Sequence, residues 1–191
     1  MPHTKRVFDA IDSSIITIKD LAMHPKSLLY VGWRHDCRPW WHDTFCPSLG
    51  IEKIGVLEIF DKNFHDLDQL VWAGRYNVKP ILGDVRFIEK YVNECEYDVI
   101  FWDHGPEHVS MDDLIATTIK LKKFAGKCLI YCCPWGLWPQ GPEDGNVSEI
   151  HQIEIDAEML KELGMVVQEF GQPGQSGEGE LLGIAVRTKH F

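Results

Sequence analysis

The 191-residue sequence is short of positive charge, of long apolar runs and of paired cysteines. Its 19 Lys and Arg stand against 29 Asp and Glu, a formal net charge of −10. A chain this acidic lacks the positive field that bulk nucleic-acid binding needs, so that class of function is disfavoured. No apolar run reaches the roughly 18 residues of a membrane-spanning helix. The opening stretch MPHTKRVFDAIDSS has neither the apolar segment nor the small-residue cleavage site of a secretory signal, and a cytoplasmic location is expected. The cysteines, Cys37, Cys46, Cys95, Cys128, Cys132 and Cys133, contain no CxxC pair, which argues for reduced thiols and against a disulfide framework.

What is present is the composition of an ordinary globular chain. Hydrophobic residues make up 45% and charged residues 25%, which excludes disordered and fibrous classes. The length suits one domain over residues 1–191, with a helical extension at 1–25. Five short apolar runs stand out: Ser27–Val31, Ile54–Phe60, Val78–Leu82, Tyr97–Trp102 and Lys127–Cys133. Each is bounded by Gly, Pro or Asp and apolar on both faces, as buried parallel strands are. Between them, helical spacing predicts helices over Asn63–Ala73, Asp84–Asn93 and from Pro106 to Gly126. Strand and helix alternating at this interval specify an α/β fold, a doubly wound and mostly parallel sheet. After the fifth run the rhythm changes. Asp156–Leu163 reads as a helix, and Met165–Phe170 and Leu181–Val186 read as strands joined by a Gly-rich turn, an antiparallel hairpin at the sheet edge. Residues 134–150 are too long for a plain connection and read as a functional, substrate-side loop.

Ligands of such sheets bind beyond the carboxyl ends of the strands, so the residues just after each strand carry the functional signal. Gly32-Trp33-Arg34 follows the first run, with no G-x-G-x-x-G, which disfavours a nicotinamide or flavin dinucleotide. Glu58, inside an otherwise apolar strand, is placed to accept both hydroxyls of a ribose, the alternative being a surface acid next to Asp61. Asp84 follows the third strand and reads equally as an acceptor for an adenine amino group or as a helix N-cap. The fourth strand ends in Asp103-His104-Gly105-Pro106-Glu107-His108, an acid–base cluster whose alternative is the ordinary decoration of a helix start. His104 and His108 would form an i, i+4 metal pair only if residue 104 were already helical, and no metal is expected there. The group His35-Asp36-Cys37…His42…Cys46 fits no closed zinc spacing and reads as a surface segment.

The succession LLYVGWRHD, GVLEIFDKN, ILGDVR, YDVIFWDHGPEHV and KCLIYCCPWG resembles the ordered motifs of class I S-adenosylmethionine-dependent methyltransferases, over about residues 26–188. The resemblance implies a strand order 3-2-1-4-5-7-6 with strand seven antiparallel, and S-adenosylmethionine as cofactor. It places Gly32 at the methionine part, Glu58 at the ribose, Asp84 at the adenine, and Asp103 and His104 between cofactor and acceptor, with Trp33, Ile59 and Val85 as further cofactor-binding residues. The chain departs from the family at the first motif, where Tyr30 stands in place of the acid and Gly32 is the one glycine kept. The cofactor carries a sulfonium cation and no phosphate, so a phosphate cradle is unnecessary.

The reading that follows is a methyltransferase acting on a small-molecule acceptor. His104, His108 and His151 are candidate bases, with Glu107 able to orient or replace one. Trp135 and Trp138 suit an apolar or planar acceptor, and alternatively pack the loop onto the sheet. Loss of the glycine motif favours the second reading, a non-catalytic binding or regulatory protein on the same scaffold. A nicotinamide-linked oxidoreductase ranks third. Arg34, Arg38, Arg75 and Arg86 fall near strand ends or helix starts, the sole hint of a basic groove. Residues 140–191 hold ten acids against three bases, −7 of the whole −10, which would favour neutral or cationic acceptors if that surface faces the pocket.

Overall fold

The computed structural model describes residues 5–33, 41–143, 145–174 and 179–187. Seven strands form one sheet in the order β3-β2-β1-β4-β5-β7-β6: β1 Ser27–Val31, β2 Lys53–Glu58, β3 Lys79–Leu82, β4 Tyr97–Asp103, β5 Ala125–Pro134, β6 Val166–Phe170 and β7 Glu180–Val186. Strands β1 to β5 pair in parallel, while β7 runs antiparallel between β5 and β6. The expected α/β class and strand order are those of the structure.

The apolar runs sort by parity, as the period of a strand demands. In β1, Leu28 and Tyr30 enter one core layer and Leu29 and Val31 the other. In β5, Cys128, Ile130 and Cys132 alternate with Leu129, Tyr131 and Cys133 in the same way. Helix α1 (Lys5–Asp20) lays Ile11, Ile15 and Ile18 on the first layer, together with the short α2 (Cys46–Leu49) and with Leu67 of α3 (Asp61–Trp72). Helices α4 (Met111–Phe124) and α5 (Ala157–Glu162) cover the opposite layer through Leu114, Leu121 and Leu160. The segment read from sequence as an extension at 1–25 thus contains a helix that closes one face of the sheet.

Two helix expectations are corrected. Residues 84–93 form 3-10 turns over Val85–Lys90 with non-helical geometry at Phe87 (φ −116°, ψ 36°), not an α-helix. Asp84 accepts from the Arg86 amide and grips its guanidinium, a local ring that competes with the helical pattern. The helix expected to run from Pro106 to Gly126 is split. Pro106–His108 is a single 3-10 turn, Val109 is extended, and α4 starts afresh at Met111, where the Ser110 side chain accepts from the Asp113 amide. Ser110 followed by Asp112 and Asp113 is the stronger helix start, so Glu107 and His108 stay in the loop above the sheet. Gly126 belongs to β5.

The register brings one edge together. Val31 lies opposite Leu57 and Trp102, Glu58 opposite Leu82, and Asp103 opposite Cys132. Because β7 is antiparallel, its first residue, Glu180, pairs with Pro134, the last of β5, and reaches the same edge.

Candidate functional site

A cavity of about 370 Å³ opens at this edge, within the range of roughly 300–1,000 Å³ usual for small-molecule sites. Gly32, Trp33, Glu58, Ile59, Asp84, Val85 and Asp103 line it, and so do His104, Glu107, His108, Trp138 and His151. Of the sequence-derived candidates, Trp135 alone lies elsewhere. It packs, partly buried, against the core layer that α4 and α5 cover, with its amide donating to the Gly179 carbonyl, so the loop-packing alternative describes its position.

On the β1–β2–β3 side the backbone sets the shape. Gly32 has φ +85°, which an L side chain adopts only under strain, and its amide donates to the Leu57 carbonyl. Glu58 is buried, with one carboxylate oxygen accepting from the Trp33 amide at 2.6 Å and the other from the Phe60 amide at 2.7 Å. Burial pushes its carboxyl up to about 7, against the lowering effect of those two amides. The Trp33 indole Nε1 is buried with no hydrogen-bond partner among the described residues. Tyr30, standing where the family's acid would be, donates its hydroxyl to Asp103 Oδ2 at 2.5 Å and stacks on Trp41, another cavity residue. Asp84 serves as the N-cap, and both its oxygens are engaged by Arg86.

On the β4–β5–β7 side the furnishing is His and carboxylate. His104 has φ +45°, an uncommon state for a side chain larger than glycine, and its amide donates to the Cys132 carbonyl. That turn sets the ring between two buried acids, Nδ1 at 3.6 Å from Glu107 Oε1 and Nε2 at 3.4 Å from Glu180 Oε1. Glu107 and Glu180 are 2% and 1% exposed. Burial, with neighbouring carboxylates adding to it, holds both carboxyls well above their ordinary value. The His108 and His151 rings stand edge to face at 4.7 Å. Burial lowers both, His108 to about 4 with help from His151, which favours the neutral imidazoles. Trp138 sits against His104 and His151.

His104 is not helical, so the i, i+4 metal pair with His108 does not form. Among the described residues, two other groups have ligand atoms within 4.8 Å of one another: Asp103, His104 and Cys132, and Glu107, His108 and His151. Cys46 is buried while His42 faces Asp43, and His35, Asp36, Cys37, Arg34 and Arg38 lie outside the described residues. Sequence reasoning missed Glu180 and Glu149. The first sits at the amino end of its strand, where an open parallel sheet would put it away from the site. The second is one of many acids in an acidic segment.

No protein-family model matches the chain, and no curated protein matches it. Solved structures do. The magnesium protoporphyrin IX methyltransferase ChlM of Synechocystis PCC 6803, with bound S-adenosylhomocysteine (SAH), superposes at a TM-score of 0.57 with 12% identity, over 94% of this chain and 83% of that one. A SAM-dependent methyltransferase of Archaeoglobus fulgidus matches at 0.56 with 13% identity, over 92% and 94%. The mitomycin 7-O-methyltransferase MmcR matches at 0.56 with 13% identity, over 92% of this chain and 54% of that one. At such identities the likeness is one of fold.

Proposed function

We propose that this chain, which has the class I S-adenosylmethionine-dependent methyltransferase fold, transfers a methyl group from S-adenosylmethionine to a small-molecule acceptor. The observation that carries the reading is the division of one cavity into two differently furnished sides. The residues present fit the cofactor. Gly32 bends the chain without a side chain, Trp33 offers a buried indole donor, and each Glu58 oxygen, already bonded to one amide, retains capacity for a ribose hydroxyl. Ile59 and Val85 supply apolar wall, and Asp103, fixed by Tyr30, borders both sides. Asp84 holds Arg86 at the cavity rim and lines the cavity where an adenine amino group would be received. When bound, S-adenosylmethionine supplies an electrophilic methyl on a sulfonium, and the carboxylates gathered at this edge suit a cation.

On the other side, Trp138 offers an apolar face to the acceptor, and His104, lying between Glu107 and Glu180, is placed to take its proton. Alignment of acceptor and methyl supplies much of the rate in such a displacement. Two of the matching structures are named for small-molecule acceptors, a porphyrin and mitomycin, which supports that class. Calorimetric titration with S-adenosylmethionine and SAH tests the reading. Both bind the wild type, and Glu58→Ala weakens them by roughly 10–100-fold, the worth of hydrogen bonds to a charged group. Absence of binding by either ligand would overturn it in favour of a non-catalytic scaffold.

A further inference from the structure

Glu107 is the least accommodated side chain in the molecule's functional edge. It is buried, and neither carboxylate oxygen has a hydrogen-bond partner among the described residues. A buried carboxylate without hydrogen bonds is costly and calls for a compensating group. Its surroundings are arranged around it: Oε1 lies 3.8 Å from His108 Nε2 and 3.9 Å from His151 Nε2. Glu149 Oε2 lies 3.9 Å from the same His108 nitrogen. These separations are too long for hydrogen bonds and match two ligands of a common ion. Atoms each about 2.1 Å from one metal stand at most about 4.2 Å apart.

The backbone holds this arrangement in register. The Glu107 carbonyl accepts from the Gln152 and Ile153 amides, and the Gln152 side chain donates to the His108 carbonyl at 2.6 Å. Three hydrogen bonds therefore stitch residues 107–108 to the segment that carries His151. The Gln140 side chain donates to the Glu149 carbonyl, and the Gln140 carbonyl accepts from the His151 amide, which ties Glu149 and His151 to the same loop. All four side chains line the cavity.

We propose that Glu107, His108 and His151, with Glu149 as a fourth ligand, form a binding site for a divalent transition-metal cation. Two imidazoles and two carboxylates select Mn²⁺, Fe²⁺, Co²⁺ or Zn²⁺ over Ca²⁺ and Mg²⁺, which prefer all-oxygen sets. The ligand atoms of Glu107, His108 and His151 lie within 4.8 Å of one another, and side-chain shifts of about an ångström bring them to ligand spacing. The cation's remaining positions face the cavity, where an oxygen donor completes the coordination. Cation binding stands independently of the methyl-transfer reading.

The test uses full-length protein stripped with a chelator and titrated with CoCl₂, without S-adenosylmethionine, by calorimetry and visible absorbance. One cobalt ion binds at this site, and the wild-type protein shows paramagnetically shifted imidazole resonances. His151→Gln and Glu107→Gln each weaken binding at least about tenfold, while His65→Ala, an exposed histidine of α3 paired with Asp61, leaves it unchanged. Glu149→Gln, at the more accessible rim, weakens it in a chain whose melting temperature is retained, which covers the case in which the buried variants do not fold. Failure of the wild type to bind cobalt, or binding unaltered by all three ligand variants, would overturn the site. S-adenosylmethionine binding is measured without metal, so the two results fail separately.

Discussion

At the scale of single residues, Glu58 is where sequence and structure meet most directly. An acid inside an apolar strand is expensive, and the structure shows what offsets the cost: two backbone amides, one per oxygen. Burial nevertheless raises its carboxyl from 4.5 to about 7. A group raised on folding favours the folded state below its unfolded pKa, and that contribution is lost as pH climbs through the folded value. The ligand-free wild type therefore loses stability relative to Glu58→Gln between about pH 4.5 and pH 7, which thermal melts of both proteins across that range will record. A melting difference independent of pH would contradict it. Gly32 makes a second residue-scale case. Its Cβ would meet only the Asp103 carbonyl at 3.5 Å, an ordinary contact, so Gly32→Ala is penalised through φ +85° alone, about 1–2 kcal/mol. Calorimetry should find cofactor binding weakened in that variant, since the bend and the cavity wall are the same residue. Glu58 and Gly32 were legible from position in the strand pattern. Glu180 and Glu149 were not, because nothing local distinguishes an acid that a distant strand carries into a site.

Among the elements, the break between the 3-10 turn at Pro106–His108 and α4 matters most for the site. A continuous helix from Pro106 would have turned His108 with its successive residues around a cylinder. The restart at Ser110 leaves Glu107 and His108 in a loop that faces the segment carrying His151. Ser110→Ala removes the acceptor for the Asp113 amide, at a cost of about 1 kcal/mol, seen as a lower denaturation midpoint with an unchanged slope. The sequence contained the competing signal, a serine followed by two aspartates, but proline at 106 pointed to an earlier start. Residues 84–93 depart from the helix their spacing predicts for a related reason. Its apolar spacing is helical, yet the Asp84–Arg86 ring and the kink at Phe87 divert it into tighter turns.

For the whole molecule, the acidic balance resolves into two parts. Glu149 lines the cavity and Glu180 contacts His104 beside it, whereas Glu154, Asp156, Glu158, Glu162 and Glu169 are exposed to solvent. Most of the described excess charge after β5 thus lies on the solvent-facing surface, and two acids, Glu149 and Glu180, reach the cavity edge. Helix α1 has a comparable whole-molecule role, since Ile11, Ile15 and Ile18 cover the layer containing Cys132, Leu182 and Ile184. Removing residues 1–20 should uncover that layer, giving a chain that binds a hydrophobic dye and aggregates while the full chain does not. No helix among the described residues is long and apolar enough to cross a membrane. The sequence by itself determined the α/β class and the strand-end positions Gly32, Glu58, Asp84 and Asp103, because strand period, chain order and right-handed crossovers leave few topologies open, while the strand order came from the resemblance to class I methyltransferases. Only the tertiary structure decided which His and Glu side chains meet. Residues 107, 108, 149, 151 and 180 come together through sheet register, one antiparallel strand and three hydrogen bonds between loops, and such long-range contacts leave no periodic trace in the chain.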